Sequence, residues 1–119
     1  MAEEGRSSPE LEPGEMTPRE LSQRLKQEQP VVLLDVRQPH EREIADLPES
    51  GQLRIPLDEL PDRVDELDPD VNLVIYCRSG ARSGQAAEFL SARGFAHVYN
   101  LVGGILRWRE EVDPSVQAY

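Results

Sequence analysis

The sequence has one cysteine, one lysine and no long apolar run. The single cysteine, Cys77, has no partner for a disulfide within the chain, which suits a reducing compartment. No stretch approaches the roughly 20 apolar residues that a membrane-spanning helix needs. Residues 1–5 contain neither the basic nor the apolar region of a secretory signal. These absences predict a cytoplasmic protein without a membrane partner.

Positive charge is also scarce: 23 Asp and Glu stand against 13 Lys and Arg in 119 residues, giving a net charge of −10. Nucleic-acid binding requires clustered positive charge, so DNA and RNA are not expected as partners. The length fits one domain with one hydrophobic core. One cysteine and two separated histidines, His40 and His97, do not form a metal ligand set, and the sequence implies no metal or organic cofactor.

The chain divides into an acidic tail and one domain. Residues 1–15 combine five glutamates with Gly, Ser and Pro, and Leu11 is their only large apolar residue after Met1. Such a segment buries too little apolar surface to offset its ordering entropy. We therefore expect a flexible tail or linker over residues 1–15 and a folded domain over residues 16–119. Thr17-Pro18-Arg19-Glu20 has the pattern of a helix start with a capping box.

Apolar runs alternate with helical patterns through the domain. The runs predict strands over residues 31–34, 53–55, 71–76 and 97–101. Helical patterns follow Thr17 and cover residues 39–45, 57–67 (interrupted at Pro61) and 82–93, with Gly94 as a C-terminal cap and a last helix from Gly103-Gly104 onward. The alternation predicts an α/β fold with a parallel sheet covered on both faces.

Cys77 follows the predicted 71–76 strand directly and precedes a predicted helix. Open parallel sheets bind ligands beyond the carboxyl ends of their strands. The loop Cys77-Arg78-Ser79-Gly80-Ala81-Arg82-Ser83 can turn backbone N–H groups inward at Gly80, and the helix adds the positive end of its dipole. With Arg78 and Arg82, these groups favour a thiolate. A lone cysteine is often an inert buried thiol, but this constellation indicates a reactive one.

Three motifs, in this order, resemble the rhodanese homology family over about residues 14–112. They are Asp35-Val36-Arg37 after a strand, the Cys77 loop, and Leu101-Val102-Gly103-Gly104-Ile105 followed by Trp108. The resemblance implies a three-layer α/β/α fold with five parallel strands, the first of them short. It also implies the activity of a single-domain thiosulfate sulfurtransferase.

In the implied mechanism, Cys77 takes a sulfane sulfur from a small anionic donor such as thiosulfate and passes it on from a persulfide. The donor and the persulfide would be held by the rest of the loop, namely Arg78, Ser79, Gly80, Ala81, Arg82 and Ser83. Arg82 either binds the donor or braces the loop, because arginine forks serve both purposes. Asp35 and Arg37 are expected to form an internal ion pair that ties the sheet edge to the loop. Gly103 and Gly104 should permit close backbone approach.

One segment departs from the family pattern. Many members have Gly-His-Ile where this chain has Ala45-Asp46-Leu47-Pro48, and the variant is similar to rhodanese domains fused to adenylyltransferases of ubiquitin-like sulfur carriers. The ending from Trp108 through Val112-Asp113-Pro114-Ser115 to Tyr119 is similar to such fusions as well. The resemblance therefore leaves an alternative: a persulfide carrier module that receives sulfur from a cysteine desulfurase and delivers it to a ubiquitin-like protein, with residues 1–15 as an interdomain linker.

Other cysteine chemistries fit the loop less well. Cysteine phosphatases and arsenate reductases use the same strand–loop–helix arrangement, but four residues separate Cys77 from Arg82, where those enzymes have five. Expelling an alkoxide also requires a positioned acid, and none is evident. Neither histidine accompanies the loop, which disfavours a cysteine protease. A regulatory domain without turnover is disfavoured by the intact loop.

Overall fold

The protein folds as a five-stranded parallel sheet with helices on both faces. A computed structural model describes residues 13–47 and 51–119. The strands are β1 (Gly14–Met16), β2 (Val32–Asp35), β3 (Leu53–Arg54), β4 (Leu73–Tyr76) and β5 (Val98–Leu101). The α-helices are α1 (Pro18–Lys26), α2 (Leu60–Arg63), α3 (Ala81–Ala92) and α4 (Gly104–Glu111). Short 3₁₀ segments cover Pro39–Glu43, Leu57–Glu59 and Val64–Glu66.

The central strand of the sheet is β4. The strand order is β1-β5-β4-β2-β3, and every neighbouring pair is parallel. The carboxyl ends of β2, β4 and β5 therefore meet at one edge, and the residues that follow these strands become neighbours there. The predicted fold, a three-layer α/β/α domain with five parallel strands, is confirmed.

Both faces of β4 are buried, which explains why its sequence is a continuous apolar run. Leu73 and Ile75 pack in a cluster with residues of α2 and α3, including Leu60 and Leu90. Val74 and Tyr76 pack on the opposite face with residues of α1 and α4, including Leu21, Ile105 and Trp108. The chain thus has two apolar layers, one on each side of the sheet, and Trp108 lies in the core.

The predicted helix ends are largely confirmed. The hydroxyl of Thr17 accepts the N–H of Glu20 at 3.1 Å and caps α1. The second half of the predicted capping box is wrong, because the Glu20 carboxylate pairs with Arg24 at 3.3 Å instead of reaching back to Thr17. At the end of α3, Gly94 has φ +93°. The N–H groups of Gly94 and Phe95 donate to the carbonyls of Ser91 and Leu90, the double hydrogen bond of a Schellman cap.

The folded domain begins before residue 16. Gly14 and Glu15 belong to β1, where they pair with Tyr99 and Asn100 of β5. Without β1, the main-chain N–H and carbonyl groups on one side of β5 would lack partners in the sheet, and pairing with residues 14–16 satisfies them. Residues 1–12 of the predicted tail lie outside the described residues. Within the described ranges, no helix is long and apolar enough to cross a membrane.

Candidate active site

Cys77 lies at the carboxyl end of the central strand, between β4 and α3. Its side chain is buried, whereas Arg78 and Ser79 are exposed at the mouth of the loop. Gly80 ends the loop with φ +106°, a left-handed conformation that a side chain would strain. The chain can therefore turn sharply from strand into helix around the sulfur.

The sulfur of Cys77 is surrounded by hydrogen-bond donors. The N–H of Gly80 donates to Sγ at 3.1 Å, and the N–H of Ser83, in the first turn of α3, donates at 3.4 Å. The hydroxyl oxygen of Ser83 lies 3.4 Å from Sγ. The backbone N–H groups of the loop thus turn inward as predicted, and they form an anion-binding nest around one atom, Sγ of Cys77.

The first turn of α4 holds the same loop from the other side. The N–H of Ile105 donates to the carbonyl of Cys77 at 3.0 Å, and the N–H of Leu106 donates to the carbonyl of Arg78 at 3.1 Å. A Cβ on Gly104 would lie 2.4 Å from the Arg78 carbonyl oxygen and 2.6 Å from that of Cys77. Gly104 is therefore needed for the close approach that the sequence predicted. Because the Arg78 carbonyl is bound to α4, the N–H of Ser79 in the same peptide group points the other way, towards Sγ.

These contacts shift the ionisation of Cys77 towards the thiolate. Burial by itself raises the pKa of a thiol. The hydroxyl of Ser83 and the N–H groups of Ser83, Gly80 and Ser79 outweigh burial and lower the Cys77 pKa below its usual value. A lowered pKa is one of the properties that distinguish reactive cysteines from inert buried ones.

Arg82 forms a bidentate ion pair with Glu41. Its two terminal nitrogens lie 2.7 and 2.9 Å from the carboxylate oxygens of Glu41, in the 3₁₀ segment after β2. The hydrogen bond from Arg82, aided by others from Gln38 and Tyr119, lowers the Glu41 pKa to about 2. Of the two roles predicted for Arg82, this contact favours bracing of the loop. Donor binding by Arg82 stays a prediction.

Asp35 and Arg37 form the predicted internal ion pair. Both are buried, with Nε of Arg37 2.9 Å from Oδ1 of Asp35. The Arg37 guanidinium also donates to the carbonyl of Ala45 at 2.8 Å and to that of Glu41 at 3.4 Å. Arg54 adds a second cation, 2.8 Å from Asp35 and 2.6 Å from Asp46. This network fixes the segment that carries Glu41 and, through Glu41, the loop.

Tyr119 reaches the loop from the far end of the described chain. Its hydroxyl donates to Glu41 at 2.9 Å and accepts from Arg37 at 3.0 Å. Nε of Arg78 donates to the main-chain oxygen of Tyr119, and the Arg78 guanidinium lies 5.4 Å from the centroid of the Tyr119 ring. Tyr119 thus contacts both Arg78 and the carboxylate that braces Arg82.

Sequence analysis assigned no role at the site to Glu41 or Asn100, and it did not predict that Tyr119 contacts the loop. Asn100 lies in β5 and bonds both Ser83 and Gly80. A polar residue near the end of an otherwise apolar predicted strand is a signal that sequence reasoning can use. The signal for Glu41 is weaker: Glu41 follows β2, and β2 is the neighbour of β4 in the sheet. The side chains of His40 and His97 are exposed, as expected of surface residues.

Fold and loop together define a class: an α/β domain with a cysteine of lowered pKa at the carboxyl end of its central strand. The model of the rhodanese-like domain family matches residues 17–111. The chain belongs to this family.

Similar proteins include both short and long members. A protein named sulfurtransferase from Allochromatium vinosum is 43% identical over 96 residues, which cover 81% of this chain and 88% of the relative. A probable adenylyltransferase/sulfurtransferase MoeZ from Mycobacterium tuberculosis is 31% identical and is matched over 87% of this chain, but over 26% of its own length. The chain thus spans about a quarter of that longer relative.

Solved structures agree with this assignment. A rhodanese-related protein from Thermoplasma volcanium superposes with a TM-score of 0.74 at 30% identity, over 83% of this chain and 93% of that chain. A NAD-dependent persulfide reductase from A. fulgidus has a TM-score of 0.65 at 31% identity, over 81% of this chain and 16% of that one.

Proposed function

We propose that the protein is a sulfurtransferase that moves a sulfane sulfur from thiosulfate, or a similar small anionic donor, to a thiophilic acceptor through a persulfide on Cys77. The observation that carries this proposal is the convergence of the Gly80 and Ser83 N–H groups on Sγ, at 3.1 and 3.4 Å. Membership of a family with members named sulfurtransferase supports it.

The first step is nucleophilic attack by the Cys77 thiolate on the outer sulfur of thiosulfate. A bond forms between Sγ and that sulfur, the sulfur–sulfur bond of thiosulfate breaks, and its electron pair leaves with sulfite. The persulfide that remains carries one negative charge. Sulfite is a stable anion, so no proton has to be delivered to the leaving group, in keeping with a loop that has no histidine.

In the second step, an acceptor such as cyanide or a thiolate attacks the outer persulfide sulfur. The new bond takes that sulfur away, and the electron pair of the broken bond restores the Cys77 thiolate. The loop N–H groups face whichever sulfur carries the negative charge. Arg78, exposed at the mouth, attracts the donor anion in a molecule whose net charge is −10.

Sulfite release tests this proposal. We expect sulfite to appear when the protein is mixed with thiosulfate and cyanide, and the Cys77→Ser variant to release none. The same preparations are assayed with p-nitrophenyl phosphate, which a phosphatase would hydrolyse. Phosphate ester hydrolysis without sulfite release would replace the proposal by the phosphatase alternative.

A second candidate is a persulfide carrier module that delivers sulfur to a ubiquitin-like protein. The relative from M. tuberculosis favours it, because this chain matches 26% of a protein named adenylyltransferase/sulfurtransferase. A carrier would accept sulfur from a cysteine desulfurase with cysteine, faster than from thiosulfate. Comparing the rates at which the two donors form the Cys77 persulfide distinguishes the candidates. The sulfurtransferase proposal expects the persulfide to form with thiosulfate as the only source of sulfur.

A further inference from the structure

The hydroxyl of Ser83 faces two hydrogen-bonding groups but has one proton to give. It lies 2.6 Å from Oδ1 of Asn100 and 3.4 Å from Sγ of Cys77. A serine hydroxyl donates once and accepts through its lone pairs. The shorter contact runs to Asn100, so the proton points away from the sulfur and a lone pair of Ser83 faces it.

The orientation of the Asn100 amide follows from its other contact. Its Nδ2 donates to the carbonyl of Gly80 at 3.2 Å, and the same carbonyl accepts the N–H of Gly84 at 3.0 Å. A flipped amide would set its oxygen against the Gly80 carbonyl, placing two acceptors together. The oxygen of Asn100 therefore faces Ser83.

We propose that Asn100 is a positioning residue that competes with Cys77 for the hydroxyl proton of Ser83 and so limits how strongly the loop stabilises the thiolate. In the thiol form, the S–H donates to Ser83 and the Ser83 hydroxyl donates to Asn100. When the sulfur carries negative charge, the hydroxyl rotates towards it and leaves Oδ1 of Asn100 without its donor. This inference rests on the proposed function only in taking Cys77 as the nucleophile.

Such competition has a use in sulfur transfer. The nucleophilicity of a thiolate falls as its pKa falls, and the most effective attacking thiol has a pKa near the ambient pH. The main-chain donors and α3 already favour ionisation of Cys77. Because the Ser83 hydroxyl has to leave Asn100 before it donates to the sulfur, it stabilises the thiolate less than a hydroxyl without a competing acceptor would, and the thiolate stays nucleophilic.

The titratable groups around Cys77 are Arg78 and Arg82 of the loop, Glu41 from the segment after β2, and Tyr119, which contacts Arg78 and Glu41. Arg82 interacts electrostatically with the Cys77 thiolate. All of these groups are the same in every variant proposed below. Differences between the variants therefore report on Ser83 and Asn100.

The test is the pH dependence of Cys77 alkylation by iodoacetamide, measured with no sulfur donor present. Asn100→Leu keeps the branched shape of the side chain without an acceptor, and we expect it to lower the Cys77 pKa by about half a unit to one unit, the scale of one neutral hydrogen bond. Ser83→Ala should raise this pKa. The double variant should match Ser83→Ala, because Asn100 acts through the Ser83 hydroxyl.

Two results would overturn the inference. One is an unchanged or raised pKa in Asn100→Leu, and the other is the same fall in pKa when Asn100→Leu is added to Ser83→Ala, which would indicate a shift of the loop backbone. Asn100→Val, a residue suited to a strand, carries the test if Asn100→Leu does not fold. A second readout is the rate constant of the fully ionised thiolate, which should fall in Asn100→Leu. Since no donor is used, failure of thiosulfate to react would count against the proposed function and leave this test unaffected.

Discussion

At the scale of single residues, the site depends on the absence of a side chain at Gly104 as much as on the thiol of Cys77. Gly104 has φ +62°, and the carbonyls of Arg78 and Cys77 occupy the space where its Cβ would stand. That contact lets α4 bind both carbonyls and leaves the loop N–H groups to face the sulfur. A substitution there should damage the nest without touching the nucleophile.

We expect Gly104→Ala to destabilise the protein by about 3 kcal/mol or more, because it adds a clash with the main chain to an unfavourable φ. Gly94→Ala is the matched control, since Gly94 also has positive φ but nothing lies within 4 Å of the Cβ position. The control should cost about 1 kcal/mol. Urea unfolding measures both free energies, and equal losses would contradict the account of the loop.

At the scale of elements, the 3₁₀ segment Pro39–Glu43 works as a brace for the start of α3. Glu41 holds Arg82 by two hydrogen bonds, and Arg37 fixes the main chain of that segment at the Glu41 carbonyl. The brace joins residues 41 positions apart in sequence across the neighbouring strands β2 and β4. Its strength depends on the ionisation of Glu41.

Because folding lowers the Glu41 pKa to about 2, the ionised carboxylate stabilises the fold fully above the ordinary glutamate pKa of about 4.3. This contribution is lost as the pH falls from about 5 towards 2. We expect Glu41→Gln to cost about 1 to 3 kcal/mol at pH 7 and progressively less at lower pH. Urea unfolding at several pH values measures the difference. Glu88→Gln, at an exposed position of α3, is the control, and a difference for Glu41→Gln that stays constant to pH 3 would refute the brace.

The elements were largely predictable from sequence, whereas the brace was not. Continuous apolar runs and Gly94 indicate strands and a helix end through local chemistry, which the structure follows within a few residues. The Cys77 loop was equally predictable from sequence, because a strand, a glycine and a helix start are adjacent in the chain. Glu41 and Asn100 meet the loop only through the strand order. That order brings β2 and β5 to either side of β4, and no local pattern encodes the pairing of their side chains.

At the scale of the whole molecule, the last described residues fold back and contact the active site. Val116 and Tyr119 pack against the layer formed by α1 and α4, and the hydroxyl of Tyr119 joins Arg37 to Glu41. The segment after α4 therefore stabilises the brace from outside the sheet.

Tyr119→Phe should lower the free energy of unfolding by about 1 kcal/mol, because Arg37 and Glu41 each lose one hydrogen bond while the ring stays in place. Tyr99→Phe is the control, since the Tyr99 hydroxyl forms no hydrogen bond within residues 13–47 and 51–119. It should change stability little. Guanidinium unfolding at pH 7 compares the two, and equal effects would show that the hydroxyl of Tyr119 does not support the brace.

The central claim is that Cys77 carries the transferred sulfur, and the mass of the intact protein tests it most directly. After incubation with thiosulfate and removal of the excess, we expect the wild-type protein to gain one sulfur atom, which peptide mapping assigns to Cys77 and which cyanide removes. Cys77→Ser should keep its original mass under the same treatment. A wild-type protein that also keeps its original mass, while its thiol remains free to react with iodoacetamide, would contradict the account.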